Sequence, residues 1–216
     1  MVVLTWLIPP IDSFTPCLKL TFFQAFEHVL VDQQAELVKE LKVDILKFVK
    51  DQNGNHVVQK AVERIPTEHI SFIVDVFRGQ THALAVHTYG CRVIQRILEH
   101  VSPEDHAFML EELHVCTPAL IPDQYGNYVV QHIIEKGRTE DKVKAVKVVQ
   151  AQLIQYCKHK YASNVVETAI EFGPKDQREA ILAHLLAPIN ENANNTLPKT
   201  QLAMMMTDQY GNYIIR

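Results

Sequence analysis

The chain has 216 residues, with 25 acidic side chains against 21 lysine and arginine side chains and a formal net charge of −4. Hydrophobic residues make up 47% of the sequence, which is typical of a folded globular protein and argues against disorder. No apolar run reaches the roughly 20 residues of a membrane helix, and the apolar N-terminal residues 1–8 lack the basic flank of a signal peptide.

Residues 1–23 match nothing else in the chain. A partial copy of the pattern that fills the rest of the sequence begins at residue 24 and covers 24–42. The codons of Phe22-Phe23-Gln24 resemble a pyrimidine tract that ends in a splice acceptor. We therefore expect residues 1–24 or so to be intron read-through, or an alternative exon, in a fragmentary gene model. A divergent N-terminal cap is the alternative.

From residue 43 onward the chain repeats a motif that first reads Asp51-Gln52-Asn53-Gly54-Asn55-His56-Val57-Val58-Gln59. The first four copies are 36 residues apart, and the last step is 49, so 13 extra residues precede the final copy. The copies contain Gly54, Gly90, Gly126, Ala162 and Gly211 at the same position. The register predicts repeats at 43–78, 79–114, 115–150, 151–199 with the insertion, and 200–216, which is truncated.

Each repeat is predicted to hold a short helix, a motif helix and a third helix. Apolar residues recur at helical spacing, and turn signals such as Ser102-Pro103-Glu104 and Gly173-Pro174-Lys175 mark the start of each third helix. Such a small unit buries its apolar face only by stacking on its neighbours, so the prediction is an all-α protein, an α-solenoid. The Asn-rich insertion around 189–198 is expected to be a surface loop, either a tolerated insertion or a partner-binding loop.

Three positions of the motif vary among polar and flat side chains, while the positions between them stay Val or Ile. We call these the reader positions: the first, second and fifth residues after the glycine. The first and fifth lie side by side on one helix face, and the second lies at its edge. Stacking the repeats should align them along one concave surface. In chain order they are Asn55, His56 and Gln59; Cys91, Arg92 and Gln95; Asn127, Tyr128 and Gln131; Ser163, Asn164 and Glu167; Asn212, Tyr213 and Arg216.

These triplets, in three-helix repeats of 36 residues, resemble the Pumilio (PUF) family of RNA-binding proteins over about residues 24–216. The resemblance implies a right-handed curved array that binds single-stranded RNA antiparallel to the repeats, one base per repeat. Asn/Gln pairs would read uracil, the Cys/Gln pair adenine and the Ser/Glu pair guanine, which gives 5′-GUAU-3′. The terminal repeat would add a 5′ uracil for a UGUA-type core, but Arg216 replaces the expected Gln and only donates hydrogen bonds.

The resemblance also implies the cellular role of the protein. The RNA would be the 3′ untranslated region of mRNAs, and the outcome would be post-transcriptional repression or decay in the cytoplasm. Deadenylase or repressor proteins are the implied protein partners, bound at the convex face or at the 186–199 loop.

The acidic balance is unusual for a protein that neutralises phosphates. We therefore expect the basic side chains to gather at the motif helices and the acids, among them Glu63, Glu99, Glu135 and Glu171, to lie elsewhere. The basic set comprises Lys60, Arg92, Arg96, His132, Lys158 and Lys160.

The main alternative is a protein-binding α-solenoid of the HEAT or armadillo type. The paired change at the first and fifth positions, where Ser163 accompanies Glu167 and Asn accompanies Gln, favours base readout. We expect no enzyme, because hydrolase and nucleotide-binding motifs are absent. Cys91 and Cys157 are expected to be unreactive thiols. The cysteines form no CxxC pair and the histidines are scattered, so we expect no disulfide framework, metal site or cofactor.

Overall fold

A computed structural model describes residues 22, 24–26, 28, 30–189 and 200–214. In this part of the chain the regular secondary structure is helical, apart from one isolated antiparallel bridge between Pro188 and Thr200. The predicted all-α class is therefore confirmed. The chain divides into two compact units, Met1–Glu112 and Leu113–Arg216. Residues 190–199, Arg216 and nearly all of the N-terminal segment 1–23 lie outside the described residues.

In the first unit α1 passes directly into a 3-10 helix (Glu40–Asp44), and two motif helices follow, α3 and α6. Each motif helix follows a short helix and precedes a longer one, as the register predicts. The bounds are α1 Val31–Lys39, α2 Ile45–Lys50, α3 Gly54–Arg64, α4 Thr67–Asp75, α5 Thr81–Ala85, α6 Gly90–His100 and α7 Ala107–Leu120, which runs into the second unit.

The second unit contains three motif helices, α8, α11 and α14, and the full order of short, motif and longer helix recurs around α11. The bridge between Pro188 and Thr200 joins the two ends of the predicted insertion, between the third helix of one repeat and the short helix of the next. The bounds are α8 Gly126–Lys136, α9 Thr139–Ala151, α10 Leu153–Cys157, α11 Ala162–Phe172, α12 Lys175–Leu186, α13 Gln201–Met205 and α14 Gly211–Ile214.

Helix α7 departs from the predicted pattern at both ends. It begins at Ala107 rather than beside Pro103, because Ser102 and Asp105 first form a hydrogen-bonded turn through the 2.7 Å bond between their side chains. It then continues to Leu120, so the short helix of the next repeat is not separate. Between α4 and α5, by contrast, the third helix of one repeat and the short helix of the next are separate. Gly79 lies between them, and its φ of 71° is in the left-handed region that glycine adopts without strain.

The motif helices build the core of each unit. Their paired apolar residues, such as Val57 and Val58 in α3, are completely buried, and each burial contributes roughly 1.5–3 kcal/mol relative to exposure. In the first unit α3 packs against α6, and in the second α8 packs against α11, which packs against α14. The glycine that begins a motif helix permits its close approach to the preceding short helix: a Cβ on Gly90 would lie 2.5 Å from the carbonyl oxygen of Leu84.

Candidate nucleic-acid interface

Just before each motif helix, one side chain accepts hydrogen bonds from two backbone N–H groups. We call these side chains the turn residues; they are Asp51, His87, Asp123, His159 and Asp208. Asp51 Oδ1 accepts from the N–H of Asn53 at 2.8 Å and of Gly54 at 2.6 Å, and Asp123 and Asp208 do the same in their repeats. Such Asx turns satisfy N–H groups that a helix N-terminus otherwise leaves open.

Histidine takes the same place in the two other repeats. Nδ1 of His87 accepts from the N–H of Tyr89 at 3.2 Å and of Gly90 at 3.3 Å. Nδ1 of His159 accepts from Tyr161 and Ala162 at the same two distances. Sequence analysis missed the turn residues, although their recurrence in the 36-residue register is a signal that could have found them.

The first reader positions lie beneath the surface. Asn55, Cys91, Asn127 and Ser163 are all buried, with at most 6% of their surface exposed. The Nδ2 group of Asn55 donates to the carbonyl oxygens of Asp51 at 2.8 Å and Gln52 at 2.9 Å, so the donors of this amide are used within the turn. Its Oδ1 accepts from the fifth position of the same helix.

The side chains at the fifth reader positions Gln59, Gln95 and Gln131 form hydrogen bonds to the residues at the first reader positions. Nε2 of Gln59 donates to Oδ1 of Asn55 at 2.8 Å, and Nε2 of Gln131 donates to Oδ1 of Asn127 at 2.7 Å. Gln95 differs, because its Nε2 donates to the backbone carbonyl oxygen of Cys91 at 3.1 Å.

The remaining reader positions present their side chains outward. Glu167, which takes the place of Gln, is exposed. The second positions His56, Arg92, Tyr128 and Asn164 are exposed as well. Each of these four repeats thus offers one hydrogen-bonding group beside one exposed polar or flat side chain.

The terminal repeat is described only in part. Asn212 repeats the geometry of the other asparagines, because its Nδ2 donates to the carbonyl oxygen of Asp208 at 2.8 Å. The N–H groups of Gly211 and Tyr210 lower the pKa of the Asp208 carboxyl. The side chain of Tyr213 and all of Arg216 lie outside the described residues.

The expected separation of basic and acidic side chains is wrong. Glu63 lies on motif helix α3 with Lys60, and Glu99 lies on α6 with Arg96, because each helix runs 11 residues and includes both positions. Arg96 bridges the two helices: its Nε lies 3.1 Å from Glu63 Oε1, and its Nη1 donates to Glu99 at 2.5 Å. These acids therefore offset basic charge at the motif helices.

Three further features of the described residues concern thiol reactivity, metal binding and membrane insertion. Burial raises the pKa of the Cys157 thiol to about 12, so this sulfur stays protonated and is a poor nucleophile at neutral pH. Among the described residues no group of three His, Cys, Asp or Glu side chains is placed to hold a metal ion. No helix in that part of the chain has the length and apolar character needed to cross a membrane.

Helical repeats whose motif helices each carry polar reader positions define a repeat protein of the α-solenoid class. A profile of the Pumilio-family RNA binding repeat matches residues 44–76, 80–114, 119–149, 152–186 and 201–215. These segments cover more than half of the chain, which therefore belongs to the Pumilio family.

Two curated relatives illustrate the sequence similarity. The chain is 36% identical over 61 residues to Pumilio homology domain family member 4 of Saccharomyces cerevisiae, a stretch of 28% of this chain and 7% of that protein. It is 36% identical over 66 residues to Pumilio homolog 9 of Arabidopsis thaliana, covering 30% of this chain and 12% of that one.

Solved structures are similar over most of the chain. The Puf3 RNA binding domain bound to the Cox17 RNA 3′ UTR recognition sequence site A shares 41% identity with a TM-score of 0.84, over 92% of this chain and 60% of that one. PUF-8 in complex with PBE-RNA shares 35% identity with a TM-score of 0.81, over 92% and 56%. The chain thus spans less than two thirds of each of these four proteins.

Proposed function

We propose that this chain binds single-stranded RNA in a sequence-specific manner, one base per repeat. The observation that carries the proposal is the recurrence of one hydrogen-bonded pair, Asn55 with Gln59 and Asn127 with Gln131, at the same place in two repeats. The paired replacement by Ser163 and Glu167 at the same place supports readout of a different base. The RNA-bound Puf3 and PUF-8 structures support RNA as the ligand.

The Asn/Gln repeats suit uracil. One hydrogen of Gln59 Nε2 goes to Asn55, and its second hydrogen and the Oε1 atom form a donor beside an acceptor. Uracil presents the complementary acceptor and donor, O4 and N3–H, on its Watson–Crick edge. Gln131 repeats this geometry, so these two repeats should select uracil.

The two other complete repeats suit purines. Glu167 is acceptor-only when ionised, and guanine presents two neighbouring donors, N1–H and N2–H. The small Cys91 leaves room for adenine, whose edge would bond to Gln95. With an antiparallel RNA, the four repeats select 5′-GUAU-3′, and the terminal repeat would extend this towards a UGUA-type element.

The second reader positions would stack on the bases. Aromatic stacking contributes roughly 1–3 kcal/mol per base and tolerates any base, so His56 and Tyr128 would add affinity rather than specificity. Arg92 offers a planar guanidinium for the same purpose. Because the chain is acidic overall, we expect stacking and base contacts to carry more of the affinity than phosphate neutralisation.

Fluorescence anisotropy with a short RNA that contains UGUAU tests the proposal. The wild type should prefer this RNA to one in which G is changed to U, and the variant Ser163→Asn/Glu167→Gln should reverse the preference. Asp176→Asn, an exposed change on α12 away from the reader positions, is the matched control and should keep the wild-type preference. If the folded wild type does not distinguish the two RNAs, base readout by this repeat is wrong.

Membership of the Pumilio family supports a further part of the proposal, the cellular role. The protein would bind the 3′ untranslated regions of mRNAs in the cytoplasm and repress them after transcription, with a deadenylase among its protein partners. A reporter mRNA that carries UGUAU in its 3′ untranslated region should decay faster in cells that express the wild type than in cells that express the Ser163→Asn/Glu167→Gln variant. Equal decay would contradict this role.

A further inference from the structure

The identity of the turn residue follows the identity of the first reader position. The turn residue is aspartate in the three repeats whose first reader is Asn: Asp51, Asp123 and Asp208. It is histidine in the two repeats whose first reader is Cys or Ser: His87 and His159. The repeats that we assign to purines are thus those whose motif helix starts on an imidazole.

The backbone carbonyl oxygen of each turn residue also accepts a hydrogen bond from the backbone N–H of the first reader. The N–H of Cys91 donates to the carbonyl oxygen of His87 at 3.1 Å, and the N–H of Ser163 donates to that of His159 at 3.0 Å. Nδ1 of each imidazole accepts hydrogen bonds from the N–H groups two and three positions later in the chain, within the same turn. Loss of the imidazole acceptor would therefore loosen the helix turn that carries the first and second reader positions.

An imidazole fills this role only while it is neutral. Its Nδ1 has a single lone pair, which the two N–H groups share, and protonation replaces that lone pair with a donor. The added positive charge would also face the positive end of the helix dipole. An aspartate keeps its acceptor oxygens throughout the range in which histidine titrates, because its ordinary pKa is near 4.

The first readers of the histidine repeats make a different side-chain bond in this turn. In the aspartate repeats the asparagine Nδ2 adds a second bond to the carbonyl oxygen of the turn residue, at 2.8 Å for Asn55 and 2.7 Å for Asn127. In the histidine repeats the first reader instead contacts the carbonyl oxygen of the residue after the turn residue: Cys91 Sγ lies 3.6 Å from Thr88 O, and Ser163 Oγ lies 3.4 Å from Lys160 O. A thiol is a weak donor and 3.4 Å is long for a hydroxyl, so both contacts are weaker than the amide bond. The first turn there depends more heavily on the histidine side chain.

We propose that His87 and His159 are pH-sensitive positioning residues for the Cys91/Gln95 and Ser163/Glu167 readers. When the two imidazoles take up a proton, these two repeats lose their ordered reader turn, and the Asn/Gln repeats keep theirs. The inference rests on the proposed function, because its consequence for RNA is weaker binding through the two purine contacts.

The charged groups around the two imidazoles are consistent with this role. Lys50, at the end of α2, faces His87, and both burial and this ammonium group lower the pKa of His87. His159 has Lys158 and Lys160 as its neighbours in sequence, and Lys158 interacts with Asp208 of the next repeat. Because the pKa of His87 is lowered by folding, its contribution to stability is complete above pH 6.5, its ordinary pKa, and is lost as the pH falls below it.

The RNA-free protein gives the first test. Nitrogen-15 NMR of the imidazoles should show Nδ1 of His87 and His159 unprotonated at pH 7.5. Their protonation should coincide with faster hydrogen exchange at the N–H groups of Gly90 and Ala162, while the N–H groups of Gly54 and Gly126 keep their protection. A proton on Nδ1 at pH 7.5, or equal changes in all four amides, would overturn the proposal.

RNA binding gives the second test, with each protein compared with itself at pH 7.5 and pH 5.5. The wild type should lose about tenfold in affinity for the UGUAU RNA, as expected from loosening two helix starts. His87→Asp/His159→Asp should lose less than about threefold, and the reciprocal variant Asp51→His/Asp123→His should lose more than the wild type. The other histidines, His56 among them, are present in all three proteins.

The outcomes separate the two proposals. Equal losses in the wild type and in His87→Asp/His159→Asp would overturn the positioning role and leave the proposed function intact. No binding by the folded wild type at pH 7.5 would overturn the proposed function, and with it the RNA consequence of the turn histidines. Circular dichroism at both pH values shows whether each variant is folded.

Discussion

Gln131 and Asn127 form a chain of two hydrogen bonds that ends on the backbone. Gln131 Nε2 donates to Asn127 Oδ1 at 2.7 Å, and Asn127 Nδ2 donates to the carbonyl oxygen of Asp123 at 2.7 Å. Because the second bond decides which end of the Asn127 amide faces Gln131, it also decides which end of the Gln131 amide is turned outward. The buried asparagine therefore orients the reader that stands above it.

Replacement of this asparagine should loosen the glutamine. Asn127→Ala removes two hydrogen bonds from a buried position, so the free energy of unfolding should fall by about 1–3 kcal/mol. In urea unfolding the midpoint should drop accordingly, and in anisotropy the preference for uracil over cytosine at this base should fall several-fold, because the Gln131 amide can then present either end.

Cys91→Ala is the matched control for that change. Gln95 bonds to the backbone carbonyl oxygen of residue 91 and not to its side chain, so its amide orientation should survive the substitution. The preference for adenine should then change less than the preference for uracil changes in Asn127→Ala. An equal loss of selectivity in the two variants would show that the asparagine side chain does not orient its glutamine.

A second prediction concerns the close approach of α5 and α6 at Gly90. A Cβ on Gly90 would lie 2.5 Å from the carbonyl oxygen of Leu84, a distance that requires α5 and α6 to separate. Gly90→Ala should therefore lower the free energy of unfolding by about 1–3 kcal/mol, the usual cost of overpacking. Thermal denaturation measures the change. The reverse substitution, Ala162→Gly, should cost no more than about 1 kcal/mol. A Gly90→Ala variant as stable as the wild type would contradict the packing argument.

The repeats and their motif helices could be predicted because their cause is local. The apolar pairs such as Val57 and Val58 recur at one spacing, and each pair is buried wherever the motif helix forms. The continuous α7 could not be predicted in this way. Its course through residues 107–120 depends on the absence of a break between two repeats, and helical periodicity alone does not show where one helix ends and another begins.

The roles of individual residues in the candidate site are harder to predict from the sequence than the helices are. Positions four residues apart share a helix face, which placed Asn55 beside Gln59 correctly, but spacing does not say which of the two is buried. The separation of charges failed for another reason. The sequence pattern places Glu63 outside the motif helix, but the helix reaches Arg64, so the acid lies within reach of Arg96 on the neighbouring helix.

The ion pair between Glu63 and Arg96 should couple the two helices weakly. Both side chains are about one third exposed, so solvent reduces the interaction to less than about 1 kcal/mol. In a double-mutant cycle, Glu63→Gln and Arg96→Met should together destabilise the protein by less than the sum of the single changes. The difference should shrink at 1 M salt. Strict additivity in urea unfolding at low salt would show that the pair contributes nothing.

The buried carboxylate of Asp141 gives a pH-dependent prediction. Burial by itself would raise its pKa, but hydrogen bonds from His114 at 2.8 Å and Arg138 at 3.0 Å, with the charge of Arg138, lower the pKa overall. A lowered pKa in the folded state means that the carboxylate stabilises the protein fully above pH 3.8, its ordinary pKa, and that this stabilisation is lost as the pH falls further.

Asp141→Asn should therefore lower the free energy of unfolding by about 1–3 kcal/mol at pH 7, because hydrogen bonds to a buried charge are lost. The difference from the wild type should stay constant down to about pH 5 and narrow below pH 4, when the wild-type carboxylate also becomes neutral. Thermal unfolding across this range measures it. Asp176→Asn, which changes an exposed acid in the first turn of α12, should follow the wild type within about 0.5 kcal/mol. A difference between Asp141→Asn and the wild type that does not depend on pH would mean that the ionised carboxylate is not what stabilises this contact between α7 and α9.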